Sequence, residues 1–187
     1  MNSYSFMLNF ALPQRDDDPE RHLNALFEAG CDDASVGIGR SGMIGLDFTR
    51  SAASAEDALR SAIRNVQTAI PGATLVQAGP DLVGLTEMAE IFGFSRQNMR
   101  KYATGVSSAH EAFPLPTIIG EPSLWHLAEI AVWMRSNTAV KPPVDLLDVS
   151  KAAAQINFEA ETERLGRIAE LGYRSRDRRS HSGCGER

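Results

Sequence analysis

Residues 82–102 read Leu82-Val-Gly-Leu-Thr-Glu-Met-Ala-Glu-Ile-Phe-Gly-Phe-Ser-Arg-Gln-Asn-Met-Arg-Lys-Tyr102, two short helical patterns hinged on Gly93. Thr86 is a natural N-cap, and Met88, Ala89, Ile91 and Phe92 give the first helix an apolar side. Gly93 supplies the tight turn, and Ser95 caps a second helix in which Met99 and Tyr102 face inward. Arg96, Gln97, Arg100 and Lys101 are then left on the outer surface, with Asn98 beside them. This is the layout of a helix-turn-helix, whose second helix carries donors suited to base edges and phosphates. A plain helical hairpin inside a larger core satisfies the same local pattern.

The text that follows narrows the choice. Phe113-Pro114-Leu115-Pro116 leads into a β-prone run Thr117-Ile118-Ile119, the turn Gly120-Glu121-Pro122-Ser123, and a returning strand Leu124-Trp125. A helix from about His126 to Arg135 then places Leu127, Ile130, Ala131 and Met134 on one face. Two helices, a small hairpin and a third helix make a winged helix-turn-helix.

On Leu85-Thr86-Glu87-Met88-Ala89-Glu90, Ser95-Arg96-Gln97, Phe113-Pro114-Leu115-Pro116, Leu124-Trp125 and Glu129-Ile130-Ala131-Val132-Trp133, the segment resembles the excisionase/AlpA-type branch of the MerR-like DNA-binding superfamily. The resemblance spans residues 82–136 and implies a winged domain that binds double-stranded DNA. It differs from that pattern at the wing, where His126 rather than a basic residue follows Trp125 and the tip carries Glu121. Either this wing stands off the DNA backbone or it makes contact through amides and Ser123. The expected DNA-binding set is Thr86, Ser95, Arg96, Gln97, Asn98, Arg100, Lys101, Ser123 and His126, with His126 equally readable as a capping residue.

Residues 1–80 read as a separate unit. Tyr4 to Leu12 is a strand with alternating Phe6, Leu8 and Phe10, and Pro19 opens a helix behind Asp18 with Leu23, Leu26 and Phe27 as its apolar face. Ala34 to Ile38 and Met43 to Phe48 are short strands, Ser54 caps a helix burying Ala58, Leu59, Ala62, Ile63, Val66 and Ile70, and Thr74 to Gln77 is a last strand. The order βαββαβ predicts a ferredoxin-like sandwich, so the chain as a whole is expected to be α+β. Such a unit is open to a small ligand or a protein partner, and the order alone selects neither.

Two motifs point elsewhere and are better explained locally. Gly37-Ile38-Gly39-Arg40-Ser41-Gly42 fits G-x-G-x-x-G, but a strand follows it where a dinucleotide fingerprint needs a helix N-terminus, so a hairpin turn accounts for the glycines. Asp16-Asp17-Asp18 with His22 has the residue types of a metal site, yet carboxylates ahead of Pro19 also cap a helix. No catalytic or cofactor motif appears, and the reading is of a non-enzyme without metal or cofactor.

Beyond Pro142-Pro143 a long helix is expected from about Val144 to Leu171, roughly 40 Å at 1.5 Å per residue. Leu147, Ala154, Phe158, Leu165 and Ile168 form a stripe near heptad spacing, widened by Leu146, Val149, Ala153 and Ile156. That helix either packs back on its own chain or pairs with a second copy. The basic tail 173–187 is expected to be disordered, either a solvated end or a source of non-specific attraction to DNA.

Composition bounds these readings. The net charge of -5 sits mostly in residues 1–80, which carry 6 basic and 10 acidic groups, whereas Arg96, Arg100 and Lys101 share their helix with no acidic residue. Few phosphates would be neutralised per copy, which makes a homodimer nearly a requirement of DNA binding. No apolar run is long enough to span a bilayer, no signal peptide is legible, and Cys31 and Cys184 show no pairing or zinc spacing. The expectation is a cytoplasmic, nucleoid-associated bacterial DNA-binding protein, most simply a transcriptional regulator. An architectural factor for excision or recombination, or the DNA-binding half of a two-protein system, are the alternatives.

Overall fold

The computed structural model describes residues 1–37, 40–105 and 111–180, with side chains described as far as residue 169. It is an α+β chain with two apolar cores. In the first, β1 (Asn2–Ala11) alternates strictly: Tyr4, Phe6, Leu8 and Phe10 are buried while Ser3 and Ser5 face outward. It pairs with β3 (Met43–Ala52), which pairs in turn with β2 (Ala34–Gly37). Its other side takes β4 (Thr74–Gly79), so the sheet is antiparallel in the order β2-β3-β1-β4.

Helix α2 (Ala55–Ala69) buries Ala58, Leu59, Ala62 and Val66 over that sheet. Its start is fixed by Ser54, whose Oγ accepts the Asp57 N–H at 3.1 Å. The first helical segment departs from expectation. Pro19–His22 is a 3₁₀ turn, capped by Asp18 through the Glu20 N–H at 3.0 Å, and only then does α1 (Leu23–Glu28) begin. The tighter winding of the turn changes the phase of the side chains. Leu26 is therefore buried, while Phe27 is 69% exposed and Leu23 lies near the surface. Asp17 and His22 pair with each other at 2.9 Å.

Arg50 had no sequence signal. Buried on β3, it makes a bidentate pair with Asp33 at 2.7 and 2.8 Å and donates to the Gly30 carbonyl at 2.7 Å. Its guanidinium also lies over the Phe48 ring. The α1–β2 loop is thereby tied to the sheet, and burial pushes the neighbouring Cys31 thiol above its ordinary value.

The second core gathers α3 (Leu85–Phe92), α4 (Arg96–Ala103) and α5 (Leu127–Asn137) around Met88, Met99, Leu127, Ile130 and Met134. A two-residue strand pair, β5 (Leu82–Val83) with β6 (Trp125–His126), and a bridge between Ile118 and Leu124 build a small hairpin beside them. Helix α6 (Val144–Ser180) spans both cores: Leu146 and Leu147 pack on the second, and Val149, Ala153 and Ile156 are buried in the first. It continues nine residues past the end expected at Leu171. Residues 181–187 of the basic tail lie outside the described residues, as do Ile38 and Gly39 of the glycine-rich turn. Among the described residues, no helix is long and apolar enough to cross a membrane.

Candidate nucleic-acid interface

The turn between α3 and α4 is held by backbone chemistry that the sequence made legible. Gly93 adopts φ 71°, where a Cβ would be strained, and the Phe94 N–H reaches back to the Ala89 carbonyl at 2.8 Å. Ser95 Oγ accepts the Asn98 N–H at 3.2 Å and starts α4. The N-cap of α3 is Gly84 and not Thr86, which lies one residue inside the helix. Leu85 packs on the second core, so the chain enters the helix two residues earlier than the best capping side chain implies.

Aromatic rings set the attitude of α4 toward the hairpin. Phe94 meets Tyr102 at 6.0 Å, Tyr102 meets Trp133 at 5.3 Å, Trp133 meets Phe113 at 4.9 Å, and Phe113 meets Trp125 at 6.2 Å, all edge to face. The two indoles donate to loop carbonyls, Trp125 to Pro114 at 3.0 Å and Trp133 to Glu111 at 3.3 Å. With Met99 fully buried beneath it, α4 is pinned on one side and open on the other.

On the open side lies a groove of about 800 Å³ between α4, the first turn of α3 and the hairpin tip. Arg96 and Arg100, one turn apart, line one wall; Thr86 and Ser123 lie on the others. Gln97 and Lys101 are exposed on the adjoining flank of α4, and Asn98 is half-buried. Ser95 and Ser123 have structural duties, since Ser123 Oγ donates to the Gly120 carbonyl at 2.9 Å and closes the hairpin turn. His126 is placed elsewhere: its Nδ1 sits 2.7 Å from Asp81 Oδ1, and it lines a different groove, toward β4 and α6.

Two carboxylates that sequence reading left out of the site, Glu87 and Glu121, also line the α4 groove. The four formal charges of its lining cancel. Among the described residues no ion pair within 4 Å joins the two arginines to these carboxylates. Glu87 was findable, as a carboxylate in the first turn of a helix; Glu121 reaches the site only through the folding of the hairpin. Compared with family models, with curated proteins and with solved structures, the chain matched none.

Proposed function

We propose that this chain binds double-stranded DNA sequence-specifically as a paired-copy transcriptional regulator, with residues 81–138 acting as an excisionase/AlpA-type winged helix-turn-helix. In this reading residues 1–80 form a ferredoxin-like sandwich, as the element order and the sheet order β2-β3-β1-β4 suggest. The observation that carries it is the pair Arg96 and Arg100, projecting side by side from a helix whose opposite face is buried, into a groove bounded by the hairpin. A helix so presented suits a major groove, where Arg reads guanine and Gln reads adenine. Gln97 and Lys101 extend the same surface. Because Glu87 and Glu121 offset the arginines, one copy attracts phosphate weakly, and two copies on a two-fold site supply the affinity.

The experiment is selection of random-sequence duplexes on the full-length protein. Enrichment of a two-fold sequence with half-sites about 10 bp apart is the expected result. Recovery of a pool no different from the input would end the reading.

An architectural role in excision or recombination is the second reading, and the hairpin favours it. Leu115 and Ile119 are 85% and 88% exposed there, with no basic residue at the tip. Exposed apolar side chains on a wing suit a wedge inserted between base steps in a minor groove, which kinks DNA.

A further inference from the structure

Helix α6 changes character at Asn157. Up to that point one face is buried in its own chain, whereas residues 161–169 are all exposed. The exposed part still carries apolar residues seven and three positions apart, on one face of the helix: Phe158 is 70% exposed, Leu165 56% and Ile168 54%. A helix of this length with little support is marginal in water, so such a stripe calls for a partner.

The stripe runs into a groove. Ala154, Phe158 and Glu161 form one wall of a trough of about 790 Å³, whose other wall is built by Val76 of β4, Ile118 of the hairpin and Glu129 of α5. Val76 and Ile118 are themselves 50% and 45% exposed. The trough is mostly apolar, with Glu129 and Glu161 against Lys151 among its charged residues.

Charge along α6 identifies the occupant. Residues 153–166 contain Glu159, Glu161 and Glu163 against Arg164, while residues 167–180 contain Arg167, Arg174, Arg176, Arg178 and Arg179 against Glu170 and Asp177. A second α6 laid antiparallel sets its basic half on the acidic half of the first; laid parallel, it sets like on like. If Leu165 meets Ile168 of the other copy, the pairing extends over residues 153–180, and the far end of one helix reaches Ala154 at the head of the trough.

We infer that α6 pairs antiparallel with α6 of a second copy, each basic C-terminal half lying in the other's trough between β4, the hairpin and α6. The trough adjoins the hairpin through Ile118, so each copy's helix would brace the other's wing. The inference rests on the paired-copy part of the proposed function and not on DNA.

The full chain is tested without DNA, so that the result is independent of the selection experiment. Light scattering should return twice 20.3 kDa, and Leu165→Glu with Ile168→Glu, both at exposed positions, should return the single mass with an unchanged circular dichroism spectrum. A monomeric wild type, or a double variant that stays dimeric, overturns the inference.

Orientation is read by cross-linking in a Cys184→Ser background, in which Cys31 is buried. Ala154→Cys mixed with Arg179→Cys should give a disulfide dimer on mild oxidation, and neither alone should do so. Cross-linking of either variant with itself indicates a parallel pair and overturns the antiparallel assignment, as does the absence of any cross-link.

Discussion

The side-chain amide of Asn157 takes both backbone groups of Ala78: Oδ1 accepts the Ala78 N–H at 2.7 Å, and Nδ2 donates to the Ala78 carbonyl at 2.9 Å. A single residue of α6 thus stands where a further strand would pair with edge strand β4. The second Nδ2 hydrogen goes to Asp81 Oδ2 at 2.8 Å, while Asp81 Oδ1 meets His126 and the Asp81 carbonyl accepts the Leu127 N–H at 2.7 Å. Sheet edge, connecting strand, hairpin and long helix are joined at one point.

Loss of that amide should be costly. Asn157→Ala leaves two backbone groups and one buried carboxylate short of partners, and with water reaching part of the edge the expected loss is about 2 kcal/mol in urea unfolding. Asn157→Asp should be at least as destabilised at neutral pH, since a carboxylate cannot donate to Ala78 and would oppose Asp81. Wild-type stability in both variants would show that the junction contributes nothing.

Within the proposed DNA complex, Arg100 and Gln97 should separate by salt dependence. If Arg100 contacts a phosphate, Arg100→Ala lowers the slope of log affinity against log salt by about 0.9 per copy and weakens all sequences alike. Gln97→Ala should keep the slope and relax one base position, at a cost of about 1–3 kcal/mol. Anisotropy titrations of a selected duplex at several salt concentrations read both, and equal slopes for Arg100→Ala and wild type would remove Arg100 from the backbone.

The two functional readings divide at Ile119. Circular-permutation gel shifts on a selected duplex should show a bend that Ile119→Ala reduces, if the wing is a wedge. A site that stays straight with the wild-type chain favours the plain regulator.

Acid should loosen α6 from α2. Arg60 holds Glu56 at 2.7 Å and Glu159 through two bonds of 3.0 Å, and the two bonds from Arg60 to Glu159, with a third from the Gln155 amide at 3.0 Å, keep the Glu159 carboxyl below its usual range. A depressed folded value means stability that is present above the unfolded carboxylate value, about pH 4.3, and lost as pH falls through the folded one. Both partners are substantially exposed, so the effect is small. The urea midpoint of Glu159→Gln should lie slightly below wild type at pH 7, and the two should converge in acid; a gap that does not change with pH would contradict this.

What could be read along the chain was local. The period-2 burial of β1, the caps at Asp18, Ser54 and Ser95, the turn at Gly93 and the outward arginines of α4 each depend on residues within a few positions of one another, so spacing alone reveals them. Tertiary structure decided everything that needed distant residues to meet. It put Glu87 and Glu121 into the arginine groove, moved His126 to Asp81, buried Arg50 against Asp33, and divided α6 into a half that belongs to its own cores and a half with an uncovered stripe. Periodicity marks which face of a helix is apolar; what covers that face depends on the path of the rest of the chain, and on α6 that path ends partway along the stripe.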